Sequence, residues 1–97
     1  MSKVIEVAVS KLSEKLAGGF PGVAKFVIPG EGEIIADAQG VRAAEPGTEA
    51  EVTLTASAEV FRGMLDGEVN PTAAFMTGKL KIDGAMGLAM QLGARLG

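Results

Sequence analysis

Neither histidine nor cysteine occurs in the 97 residues, and their absence removes most of the chemistry a small domain could perform. Imidazole is the commonest general base near neutral pH and the commonest zinc ligand. Without thiols there is neither a disulfide framework nor thiolate chemistry. A serine or threonine nucleophile would need a lysine or carboxylate as its base. Ser10, Ser13 and Ser57 stand in no nucleophile-elbow pattern. Ser13 falls on a polar helix face, and Ser57 is better used as a helix cap. Asp37, Asp66 and Asp83 lie beside glycine or at turns, where aspartate is a structural choice. The carboxylate pairs Glu31/Glu33 and Glu49/Glu51 fall in loops and strand ends, and nothing there sets a metal-ligand geometry. Gly30-Glu31-Gly32 lacks the third glycine and the following helix of a phosphate loop. No catalytic residue, metal site or cofactor is expected, and the chain does not read as an enzyme.

The residues that remain for function are apolar and soft. Hydrophobic residues make up 47% of the chain but aromatics only 4%, so the apolar surface is built from Ala, Val, Leu, Ile and Met. Met is flexible and polarizable, and it suits surfaces that adapt to irregular partners as well as gaps in a small core. The net charge is −3, with no basic stripe. Nucleic-acid binding depends on cationic contacts to phosphates and is not expected. No segment is polybasic. No run approaches the roughly 20 apolar residues of a membrane span, so stable membrane insertion is not expected. Glu6 and Lys11 interrupt the first apolar run too early for a signal peptide. The final Ala94-Arg95-Leu96-Gly97 is not a peroxisomal address of the Ser-Lys-Leu kind. The expectation is one domain over residues 1–97, cytoplasmic and of bacterial type.

These residues must be positioned by elements whose periodicity is legible. Ser2 to Ala17 reads as an amphipathic helix, with Ile5, Ala8, Val9, Leu12 and Leu16 on one stripe. Gly18-Gly19 ends it. Val23–Ile28, Glu33–Ala38 and Val41–Ala44 read as three strands joined by turns at Pro29-Gly30-Glu31-Gly32 and Gln39-Gly40. Short connections make them an antiparallel meander. Ala50–Ala56 alternates as a fourth strand, and Ser57 caps a helix running through Asp66. Asn70-Pro71 starts a short helix over 72–77, and Gly78 stops it. Lys79 to Asp83 alternates as a fifth strand, with Lys79 and Lys81 toward solvent. Ala85 to Leu96 reads as a last helix that is apolar almost all round. Such a helix must be covered on every side, by ligand, a second subunit or a membrane where sheet and helices do not reach. The pattern gives an α+β fold with one sheet and leaves the strand order open.

A resemblance supplies the order. Gly67, Asn70-Pro71, Ala74-Phe75-Met76, Gly78-Lys79-Leu80-Lys81-Ile82, Gly84 and Met86-Gly87-Leu88-Ala89-Met90 together resemble the signature of the sterol carrier protein 2 family. Upstream, Val52-Thr53-Leu54-Thr55 with Phe61 and Leu65 is similar to the family's preceding strand and helix. The resemblance implies an SCP2-like five-stranded mixed sheet, order 3-2-1-4-5, with helices packed on one face to enclose an apolar tunnel. It implies non-enzymatic binding or transfer of a lipid: a fatty acyl chain, an acyl-CoA, an isoprenoid or a sterol-like ligand. The implied lipid-binding residues are Phe61, Met64, Leu65, Phe75, Met76, Leu80, Ile82, Met86 and Met90, with Phe75, Met76, Met86 and Met90 ranked first. Met64, Met76, Met86 and Met90 should then face one another over the sheet. The alternative is a protein-interaction module with a collapsed pocket, forming a homodimer through the C-terminal helix.

Overall fold

The computed structural model describes residues 2–96. Helix α1 spans Lys3–Lys15 and begins where Ser2 accepts a hydrogen bond from the Ile5 N–H at 3.1 Å, relieving one of the unpaired donors of a first turn. It buries Ile5, Ala8, Leu12 and then Leu16, with Val9 half-buried at the edge of the stripe. Strands β1 (Ala24–Ile28), β2 (Gly32–Asp37) and β3 (Gly40–Ala44) form the expected meander. Strand β4 (Val52–Ala56) leads into helix α2 (Ala58–Leu65), short helix α3 (Pro71–Met76), strand β5 (Leu80–Gly84) and helix α4 (Met86–Leu96). Ser57 and Asn70 cap α2 and α3 through the N–H groups of Val60 and Ala73. Gly67 and Gly78 follow those two helices with φ of +80°, the left-handed conformation that glycine takes at no steric cost. Boundaries differ from the sequence-based ones by one or two residues, the usual effect of fraying ends.

The sheet order is β3-β2-β1-β4-β5. All neighbours are antiparallel except the central pair β1 and β4, which run parallel with Phe26 opposite Leu54. Because side chains alternate along a strand, Ala24, Phe26, Ile28, Ile34, Ala36, Val52, Leu54, Ala56 and Leu80 share one face, and all are buried. The helices pack on that face: α1 over β2 and β3, α4 over β4 and β5, and α2 against α1. Phe26 and Phe61 meet edge to face, with ring centroids 5.2 Å apart. The other face carries polar pairs. Arg42 donates two hydrogen bonds to the Asp37 carboxylate. Those bonds and one from the Gln39 N–H hold the Asp37 carboxyl at about 2. Lys25 donates to the Thr48 carbonyl at 2.9 Å and lies 3.4 Å from Glu33. Lys81 is exposed on this face, as the alternation predicts.

Candidate functional site

A cleft of about 1080 Å³ opens between α1 and α2. Its floor and walls are apolar: Val4, Val7 and Ala8 from α1, Ile28 from the end of β1, and Phe61 and Leu65 from α2. Its rim is charged, with Lys3, Lys11, Arg62 and Lys79 set against Glu59 and Glu68. Two sequence features hold the walls apart and in place. Gly63 is buried on α2, and a β-carbon there would collide with the Val69 side chain. The missing side chain lets residues 67–69 fold back over the helix end, where Glu68 and Val69 donate to the Gly63 carbonyl. Across the cleft, Lys11 of α1 pairs with Asp66 at the end of α2. That hydrogen bond lowers the Asp66 carboxyl below the ordinary carboxylate value. An apolar groove with a few charged groups at its edge is the composition of a site for an amphiphile.

The residues implied by the resemblance divide into three groups. Phe61 and Leu65 line the cleft. Met64 and Leu80 are buried in the core, and Ile82 packs half-buried against it. Phe75, Met76, Met86 and Met90 lie on the outer surface of α3 and α4, with Met76 79% and Met90 73% exposed. The four methionines therefore do not face one another over the sheet: Met64 points inward, and the other three point out. The reason is the placement of α4, which turns Ala89, Leu92 and Leu96 onto the sheet and leaves its opposite stripe uncovered. Met90→Ala should accordingly change unfolding free energy by no more than about 0.5 kcal/mol. Met64→Ala should cost roughly 2–5 kcal/mol. Urea denaturation of the two variants checks the contrast.

Val4 and Val7 are the functional-site candidates that sequence reasoning missed. Their signal is a second stripe on α1, Val4, Val7 and Lys11 at i, i+3 and i+7, beside the core stripe. Val7 is 43% exposed. Among the described residues, no group of three or more carboxylates is placed to hold a metal ion. Among the same residues, no helix is long and apolar enough to cross a membrane.

Fold and cleft together define a small α+β domain with an apolar trough between two helices, and comparison with known proteins gives its family. Residues 3–96 match the model of the SCP-2 sterol transfer family, so the chain belongs to that family. It is 36% identical over 103 residues to hydroxysteroid dehydrogenase-like protein 2 of Xenopus tropicalis, covering 100% of this chain and 25% of that protein. It thus spans about a quarter of the length of this curated relative. Among solved structures, the sterol carrier protein 2 of Aedes aegypti in complex with palmitate superposes with a TM-score of 0.76 at 20% identity, covering 99% of this chain and 96% of that one. The sterol carrier protein domain 2 of Helicoverpa armigera gives 0.63 at 31% identity, covering 94% and 72%. The expected five-stranded sheet, its order and the packing of helices on one face are those of this fold.

Proposed function

We propose that the domain binds a lipid-like amphiphile without catalysing a reaction, and that the ligand's apolar chain lies in the cleft between α1 and α2. The observation that carries this is the cleft itself, an apolar trough with four cations and two acids at its edge. Burial of ligand surface against Val4, Val7, Phe61 and Leu65 supplies about 25 cal/mol per Å² before ordering costs. With Lys11 engaged by Asp66, Lys3, Arg62 and Lys79 stand against Glu59 and Glu68, a small excess of positive charge that favours an anionic head, a carboxylate or phosphate, over a neutral one. Family membership supports lipid binding or transfer in general, and one structural neighbour holds palmitate. Because the chain matches only part of its curated relatives, a role within a larger protein fits the same reading: the domain would present lipid rather than transform it.

Palmitate should therefore raise the melting temperature in a dose-dependent way. The gain follows RT ln(1 + [L]/Kd), about 2.7 kcal/mol at a hundredfold excess over Kd. Val7→Asp puts a carboxylate in the apolar wall, where it removes apolar contact with the chain and repels an anionic head, and it should weaken palmitate binding at least about tenfold. Thermal denaturation with increasing palmitate, wild type beside the variant, is the measurement. The absence of any shift in the wild-type protein across fatty acids and acyl-CoAs would overturn the proposal.

A further inference from the structure

We propose that the Lys11–Asp66 pair bars one end of the cleft and limits the length of alkyl chain it takes, with the ligand's head at the opposite end beside Lys3 and Lys79. The inference rests on the reading of the cleft as an amphiphile site. Strand register fixes the two ends. Ile28 pairs with Gly32. Val27 pairs with Thr55, which sets Ile28 beside Ala56, and Ala56 pairs with Leu80. These residues lie at one end of the sheet. Lys79 stands there, directly before Leu80, and α2 leaves from there at Ala58. Helix α1 starts over the same end, because a β-carbon on Gly32 would lie 3.1 Å from the Ile5 side chain. The two helices run away from this end together, and at the far end Lys11 meets Asp66.

The far end is a boundary in shape and in chemistry. Lys11 and Leu65 line the cleft on one side and a smaller hollow of about 400 Å³ on the other. The other walls of that hollow are Glu14 and Lys15, so an alkyl chain pushed past the pair leaves Val4, Val7 and Phe61 for charged side chains and gains little. The head belongs at the other end for an electrostatic reason. Lys11 already has its anion, whereas among the described residues Lys3 and Lys79 form no ion pair. The distance between the ends then measures the chain. Lys3 and Lys11 are eight residues apart on α1, about 12 Å along its axis. An extended alkyl chain advances about 1.25 Å per carbon, from C–C bonds of about 1.5 Å. The trough therefore matches a chain of about ten to twelve carbons, and a longer one is held by that portion only.

The test is calorimetric titration of the delipidated protein with saturated fatty acids from octanoate to hexadecanoate, each below its aggregation concentration. Affinity of the wild type should rise about fourfold per added methylene in the shorter acids. From dodecanoate to hexadecanoate it should rise less than about threefold in all, where an unbarred apolar trough would give a hundredfold or more. Lys11→Met removes the bar and extends the apolar wall, and it should raise the hexadecanoate-to-dodecanoate affinity ratio to at least about tenfold. Asp66→Ala opens the bar from the α2 side and should move the ratio the same way. The ratio separates this role from others. If the pair only braces the helices, or if Lys11 holds the head, the variants weaken every chain alike and leave the ratio unchanged, which overturns the proposal. It is also overturned if wild-type affinity keeps climbing fourfold per methylene through hexadecanoate, an outcome that leaves the cleft itself standing. If no acid of any length binds, the cleft fails and this inference falls with it.

Discussion

Phe61→Ala is expected to lower the melting temperature by on the order of 20 °C. The ring is 1% exposed and meets Phe26 edge to face at an interplanar angle of 75°. With only four phenylalanines and no Trp or Tyr in the chain, this pair supplies much of the bulk that fixes α2 on the sheet. Truncation loses the transfer free energy of the ring and leaves a void, together roughly 3–5 kcal/mol. A small domain has about 5–15 kcal/mol in total. The void adjoins the cleft, because Phe61 lines it as well. Palmitate that reaches this space should return part of the loss, so the deficit should shrink on loading. Circular dichroism melts with and without palmitate measure both effects. A variant melting within a few degrees of wild type would contradict the buried placement of Phe61 and the seating of α2.

Gly84→Val should be nearly as damaging for a different reason. Gly84 ends β5 with φ of +105°, and a β-carbon there would run into the Glu51 backbone. A β-branched residue meets both the unfavourable dihedral, about 1–3 kcal/mol, and an overpacked contact of about 1–3 kcal/mol. The damage would spread, because Glu51 joins three strand ends. Its N–H donates to the Val23 carbonyl, its carboxylate accepts from the Val23 N–H, and its carbonyl accepts from Ala85 at the entrance to α4. Gly87, the second residue of α4, is the control. It has open space around it and no positive φ, so Gly87→Ala should stabilise by roughly 0.5–1 kcal/mol through helix propensity alone. Equal losses at Gly84 and Gly87 would show that the Gly84 geometry does not matter.

The elements were legible because each carries its own punctuation. Ser2, Ser57 and Asn70 cap the helices that follow them, and Gly67 and Gly78 take the left-handed conformation after the helices they end. The strand order was not legible from periodicity. Alternation says that Phe26 and Leu54 each have a buried face, but their direct pairing joins distant segments that no local pattern records. Only the resemblance supplied it. The site was legible in part. Phe61 and Leu65 reached the cleft, whereas Val4 and Val7 were overlooked because a side stripe on α1 becomes a wall only once the spacing of α1 and α2 is known. The all-round apolar character of α4 was legible, and with it the expectation that every side be covered. Hydrophobicity specifies the demand and not the supply, and Met86 and Met90 remain without cover from this chain.

The single parallel pair at the centre of the sheet makes a seam. On one side lie α1 and the hairpins of β1, β2 and β3; on the other lie β4, α2, α3, β5 and α4. The β1-β2 and β2-β3 hairpins pair near neighbours in sequence, while β1 meets β4 only after a longer loop is closed, an entropic cost that delays such pairings. The cleft straddles this seam. Val4, Val7 and Ile28 belong to the first half, and Phe61, Leu65 and Val69 to the second. An amphiphile lying there would touch both halves at once. It would act as a non-covalent staple, opposing the motion that parts them, and its residence time would then be tied to the rate at which the two halves breathe.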